Sequence, residues 1–283
     1  MVMSGMTDAD QCESAPASSK FELAVLSDIG TKRENNEDSC GHSVESEDQA
    51  LIAVADGVGG YGGGEVASAM AIDITLTSYR ENPVAWGPAK RLLRAVQRAN
   101  IEIHNRALAV PELRRMATTL IAAVIDDGVL YATHVGDCRL YLVRRGRVQQ
   151  MTKDHTVVAE RVRMGLLSAA RARNHPDRSA LSRSMGHDLV VSLDRITLPL
   201  LQHDRLVICT DGLYNVIESQ EIASMTHEFD AEGGCRRLVE LANRRSTPDN
   251  LTVGIFIMKA PTKNLELRPS WRNRLAGWFG GSR

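Results

Sequence analysis

The stretch "LIAVADGVGGYGGGEVAS", Leu51 to Ser68, runs from an apolar segment through one aspartate and a spray of glycines into a stretch of helical character. Gly57, Gly59 and Gly62 match the G-x-G-x-x-G spacing of a dinucleotide-binding turn after a strand. Asp56 stands where the pyrophosphate would sit, and an unpaired carboxylate there repels the ligand that the glycines would cradle. Either the fingerprint is accidental or the loop serves a ligand that seeks negative charge.

The neighbouring sequence weakens the dinucleotide reading further. "FELAVLSD" and "LIAVAD" have strand character, and two helical stretches follow, Glu65 to Arg80 and Pro88 to Ala109. In the second, Leu92, Val96, Ala99, Ile103 and Ala107 form one apolar face. Three closely spaced strands come next, "TTLIAAVID", "VLYATHV" and "CRLYLVR", and Asp127-Gly128 between the first two is a hairpin signal. The sheet is therefore antiparallel, and a helix followed by another helix is not the strand-helix-parallel-strand unit of a dinucleotide domain. "LVVSLDRITLPL", "RLVICTD" and "LTVGIFIM" supply later strands. Meandering strands with helices in pairs predict an α+β chain of packed antiparallel sheets covered by helices.

The chain has 283 residues, 43% of them hydrophobic, and a formal charge of −1, which leaves no nucleic-acid footprint. No signal peptide or membrane span is legible. The five cysteines, Cys12, Cys40, Cys138, Cys209 and Cys235, are odd in number and form no C-x-x-C pair. They read as free thiols in a reducing compartment, the cytoplasm. The expected organisation is a disordered segment over 1–19, one domain over 20–260 and a basic amphipathic tail over 261–283.

"LIAVAD-G" and "LVICTD-G" both end an apolar strand on aspartate and turn at once with glycine. Either alone is a turn dipeptide. Two further acidic turns, "RENNED" with Arg33, Glu37 and Asp38, and "TPDN" with Asp249, change the balance. Carboxylates at strand ends without a Cys-His grouping suit hard cations such as Mg²⁺ or Mn²⁺.

In order, "SDIGTKRENNED", "ADGVGG", "THVGDCR", "CTDGL" and "TPDNLT" resemble the metal-dependent protein phosphatases of the protein phosphatase 2C type, and the bacterial serine/threonine phosphatases most closely. The resemblance covers about Phe21 to Met258. It implies an α-β-β-α sandwich, two antiparallel sheets flanked by helix pairs, with the metals in a cleft at one end. It further implies that Asp56 bridges two Mn²⁺ or Mg²⁺ ions, with the Gly57 carbonyl on the second and Asp211 and Asp249 on the first. Asp137 matches a position that joins Asp211 at a weaker third metal. Glu37 and Asp38 match groups acting on metal-bound water, and Arg33 matches the phosphate-binding arginine, whose planar fork can grip two oxygens.

The implied reaction is hydrolysis of phosphoserine and phosphothreonine in proteins by a metal-activated water, opposing a serine/threonine kinase. A phosphoprotein-binding module without turnover is the alternative, against which the acidic set Asp56, Asp211 and Asp249 speaks. Val58 replaces the histidine that many eukaryotic relatives carry after the Asp-Gly pair, so metal-bound water near Asp137 is the expected proton source. Cys138 replaces a usual serine and is expected to fill core space. His134, His155 and His187 read as packing or surface residues, and Asp28 as a turn residue. The excursion from Asp154 to His187, with Arg161, Arg163, Arg171, Arg173, Arg178 and Arg183, reads equally as a flap beside the site or as a solvated basic surface. In the tail, Trp271, Leu275, Trp278 and Phe279 share a helical face, suited to folding back on the domain or to docking on a partner or an anionic membrane.

Overall fold

The computed structural model describes residues 13–14, 20–59, 63–173 and 175–260. The expected tail over 261–283 and most of the expected disordered segment lie outside these residues. Of the latter, Glu13–Ser14 (β1) is described, and it pairs with β2.

Two antiparallel sheets form the centre. The first holds β1, β2 (Phe21–Asp28), β12 (Leu251–Met258), β11 (Arg205–Cys209), β8 (Arg139–Arg144) and β9 (Arg147–Gln150), in that order. The second runs β10 (Asp194–Pro199), β7 (Val129–Val135), β6 (Leu120–Asp126), β4 (Gln49–Val58), β3 (Asp38–Ser46), with β5 (Ala117–Thr118) against the end of β4. Helices α1 (Gly63–Glu81) and α2 (Gly87–Ala109) cover the second sheet. Helices α5 (Asp211–Tyr214), α6 (Ser219–Glu228) and α7 (Ala231–Arg244) cover the first, while α3 (Val157–Arg163) and α4 (Ala169–Arg173) belong to the excursion between β9 and β10. No described helix is long and apolar enough to cross a membrane.

Burial on both faces explains the apolar runs. All eight residues of β12 are buried, because one face meets the second sheet and the other meets α7. Ile52, Val54, Ile121, Leu206 and Phe256 interlock between the sheets. Leu51, Leu120 and Val124 pack on the α1 and α2 side, against Ala71, Leu92 and Val96.

Three expectations about strands are corrected. "TTLIAAVID" is interrupted at Thr119, where β5 gives way to β6. "LVVSLDRITLPL" is strand only over Asp194–Pro199. "CRLYLVR" does not continue the meander of β6 and β7; it crosses at the Gly136 turn into the other sheet and pairs with β11 and β9. The polar run Asp38–Ser46 was not expected as a strand and forms the second sheet's edge against β4.

At the end opposite the acidic turns, a buried ion pair joins the sheets. Arg144 on β8 donates from Nε to Asp204 at 2.8 Å and from Nη2 to the Pro199 carbonyl of β10 at 3.0 Å. Asp204 also accepts from the Leu201 amide at 2.6 Å. The Arg144 and Asp204 side chains are 6% and 2% exposed, so removing one partner strands a charge away from water. Asp204→Ala is expected to cost about 3–5 kcal/mol in urea unfolding, and a loss below about 1 kcal/mol would show that the pair does not fasten the sheets.

Candidate metal centre

The acidic residues sit where strands begin or end at one edge of the sandwich. Asp38 opens β3 and lies opposite Asp56 of β4 in register. Asp137 is in the turn before β8, Asp211 begins α5 directly after β11, and Asp249 precedes β12. Their convergence shows in their charges. Burial first, and then the charges of Asp38, Asp211, Asp137 and Asp249, hold Asp56 well above the usual carboxylate range. Burial, reinforced by Asp211 and other carboxylates, pushes Asp38 and Asp137 up to about 7. Burial and Asp249 push Asp211 up to about 6.

The backbone around Asp56 is tightly fixed. Its amide donates to Thr119 Oγ1 at 2.9 Å, and its carbonyl accepts from Thr118 Oγ1 at 2.8 Å and from the Thr119 amide at 2.9 Å. The Gly57 amide donates to the Glu37 carbonyl at 3.1 Å. A Cβ on Gly57 would collide with the Gly64 carbonyl and lie 2.6 Å from the Glu37 carbonyl oxygen, so only glycine lets the α1 N-terminus and the Glu37 loop close on this strand. Gly136, with φ of +99°, makes the turn that presents Asp137 while its α-carbon packs against Thr119.

The 29–37 loop is tied to the Asp249 turn by Asn250. Its Oδ1 accepts from the Glu37 amide at 2.9 Å, and its Nδ2 donates to the carbonyls of Ile29 and Asn35, each at 2.9 Å. Arg33 Nη2 lies 2.8 and 2.9 Å from the two oxygens of Asp249. Arg33 and the half-buried Glu37 thus stand at the rim of the cluster. Asp38 is deeper: its Oδ2 accepts from Thr210 and Thr252, both at 2.8 Å, while Asn215 donates to Asp211 at 3.0 Å. The structure therefore gathers Arg33, Glu37, Asp38, Asp56, Asp137, Asp211 and Asp249 from five separate segments, with the Gly57 backbone beside them.

Five clustered carboxylates, four of them raised above their usual range, form an oxygen-only donor set that fits hard divalent cations. A second cluster does not fit a metal. Ligand atoms of His134, His155 and Asp194 lie within 4.8 Å of one another. His155 Nδ1 accepts from the Gly136 amide at 3.1 Å, so its lone pair is engaged, and Nε2 must carry the proton that faces Asp194 at 3.3 Å. Burial pushes His134 down to about 3, a neutral ring tilted against His155 with the centroids 4.6 Å apart. Both are packing residues as expected, while His187 is exposed.

Sequence reasoning did not single out Thr210, Thr252, Asn250 or Tyr214. The first three fall inside or beside motifs already marked, which was the available signal. Tyr214 is 3.5 Å from Asp137 Oδ2 and beneath the Arg139 guanidinium, which Asp154 holds at 2.7 and 3.2 Å. Val58 is exposed and pairs with Ala117. Cys138 is buried in the inter-sheet core, 3.0 Å from Thr119 Oγ1, and Asp28 turns its loop by accepting from the Gly30 amide at 2.7 Å.

The family model for Protein phosphatase 2C matches residues 30–244. The chain belongs to the protein phosphatase 2C family. It is 32% identical over 232 residues to the serine/threonine phosphatase stp of Listeria monocytogenes, covering 80% of this chain and 91% of that one. To the protein phosphatase PhpP of Streptococcus pneumoniae it is 33% identical over 243 residues, covering 84% and 98%. The catalytic domain of the serine/threonine phosphatase PstP, solved in complex with two manganese ions, superposes with a TM-score of 0.75 at 31% identity, covering 85% of this chain and 99% of that one. The α-β-β-α sandwich read from the sequence is the architecture of these phosphatases.

The crowded carboxylates set the pH response of the metal-free chain. Asp38 and Asp137 near 7 and Asp211 near 6 stand above the ordinary value of 3.8, so the folded chain binds more protons than the unfolded one. Their stabilisation is complete below about pH 4 and is lost as pH rises through the folded-state values. In chelator, the chain is expected to melt higher at pH 5 than at pH 7.5. Asp56→Asn should raise the pH 7.5 melting temperature and narrow that difference. Scanning calorimetry in the two buffers checks this, and an unchanged gap in the variant would remove charge crowding as its cause.

Proposed function

We propose that this serine/threonine phosphatase hydrolyses phosphoserine and phosphothreonine monoesters in cytoplasmic proteins at a dinuclear Mn²⁺ or Mg²⁺ centre, opposing a serine/threonine kinase. The observation that carries the reading is the buried carboxylate of Asp56, surrounded by four others with too little positive charge to offset them. Asp56, Asp211, Asp249 and the Gly57 carbonyl would hold the two ions, and Asp137 with Asp211 would offer a weaker third position. The relative solved with two manganese ions supports that count.

When bound, such a pair of ions lowers the pKa of a coordinated water and offsets phosphoryl charge in an in-line displacement. The chain's own residues do the rest. Arg33 is long, exposed and hinged on Asp249, so its fork can meet the non-bridging oxygens of an incoming dianion and hold them in line. Glu37 stands at the rim within reach of solvent, where a carboxylate can orient water. Asp38 is different. Its fixed Oδ2 leaves the other oxygen as the one able to face the centre, so it acts as an oriented acceptor. Cys138 and Cys209, the thiols nearest the cluster in sequence, take no part, since both are buried and raised well above neutrality.

Turnover of an aryl phosphate with Mn²⁺ tests the reading. Chelator should abolish it, and Asp56→Asn or Asp211→Asn should each lower kcat/KM by roughly a hundredfold or more with the fold retained. Arg33→Ala should raise KM if the guanidinium grips ground and transition states alike, and Arg33→Lys should restore only part. Near-normal turnover in either aspartate variant would end the proposal.

A further inference from the structure

The excursion between β9 and β10 carries six arginines between Asp154 and His187, and their surroundings differ. Arg163 lies against Glu160 and Arg183 holds Asp194 at 2.9 Å. Arg173 and Arg178 are exposed, and among the described residues their guanidinium groups meet no carboxylate or other hydrogen-bond partner. Both line one cavity of about 500 Å³, which Asp137 and Asp211 of the acidic cluster also line. Arg139, the third arginine of that cavity, is already neutralised by Asp154. The cavity thus joins a carboxylate-rich region suited to a cation-held phosphoryl group with two guanidiniums that have no ion-pair partner, Glu218 also lining its wall. Val216 and Ile217 give part of its lining an apolar character.

We propose that Arg173 and Arg178 form a second anion subsite, which selects protein segments phosphorylated at two positions. The inference rests on the hydrolytic reading above and adds its substrate class. A cavity of about 500 Å³ is about 10 Å across if taken as a sphere, the span of about three extended residues. The second phosphoryl group therefore lies about three residues from the one hydrolysed, with the intervening side chains against Val216 and Ile217. A phosphoryl dianion offers three acceptor oxygens and can occupy two guanidinium forks together, whereas a single carboxylate fills one. Two free arginines lining one cavity thus match a second phosphate better than an aspartate or glutamate.

The experiment uses the full chain with Mn²⁺ and synthetic phosphoserine peptides carrying phosphoserine, aspartate or alanine three residues before or after the reacting position. The doubly phosphorylated peptide is expected to exceed the alanine peptide in kcat/KM by roughly tenfold, mostly through KM, with the aspartate peptide between them. Arg173→Glu with Arg178→Glu should bring the ratio of doubly to singly phosphorylated peptide to about one or below. Fluorescence anisotropy with non-hydrolysable difluoromethylphosphonate versions should show the same ranking. Equal use of all three peptides by the unmodified chain, a ratio that survives the double substitution, or an aspartate peptide as good as the doubly phosphorylated one would each overturn the subsite. Failure of the unmodified chain to hydrolyse any ester, aryl phosphate included, would instead overturn the hydrolytic reading, and the anisotropy ranking would still decide the subsite.

Discussion

The carboxylate of Asp38 is where the two sheets are fastened at their functional end. It belongs to the second sheet, yet one of its oxygens accepts from Thr252 on β12 and Thr210 after β11, both of the first. Thr252 in turn meets Ser27 at 2.8 Å, Asn36 donates to Ser27 at 2.9 Å, and the Thr252 amide donates to Thr210 Oγ1 at 2.9 Å. When Asp38 is ionised, hydrogen bonds to it contribute about 1.5–3 kcal/mol each, enough to help set the spacing of the two sheets at this end. Three of the other aspartates are placed relative to this clamp. Asp56 is across the ladder, Asp211 follows Thr210, and Asp249 precedes Thr252 by one short turn.

The excursion is anchored in a comparable way. His155 accepts from the Gly136 amide through its ring, donates its own amide to the Gly136 carbonyl at 2.9 Å and faces Asp194 with its other nitrogen. Thr156 pairs with Leu181 and Met185 with Thr118, so both ends of the segment are pinned near the residues that hold Asp56 and Asp137. Its root is ordered by buried hydrogen bonds while Arg161, Arg171, Arg173 and Arg178 are exposed, which allows a fixed base to carry adaptable tips.

What could be read from the sequence follows from which forces are local. β4, β11 and β12 were legible because burial on both faces leaves an uninterrupted apolar run, and α2 because its buried residues recur with helical period. The aspartates were legible because each sits at a strand end beside turn chemistry. β3 was not, because "DSCGHSVES" is a polar edge strand whose extended form comes from pairing with β4. Nor was the change of sheet at β8, since closely spaced strands ordinarily pair and nothing local says that Gly136 turns the chain away from β7. Thr210 and Thr252 escaped notice because a hydroxyl becomes a clamp only when a second sheet brings a carboxylate to it.

The burial of the thiols has a consequence for survival under oxidative stress. Cys138, Cys209 and Cys235 are buried; desolvation holds Cys138 well above its usual range, and Cys209 is pushed up to about 12. Peroxide and electrophiles attack the thiolate, and these two sulfurs stay protonated and shielded at neutral pH. On the proposed reading, phosphoester chemistry carried by carboxylates and water draws on neither of these two sulfurs. Under that reading, an oxidant that silences phosphatases dependent on a reactive cysteine would find no exposed thiolate at Cys138 or Cys209 to attack.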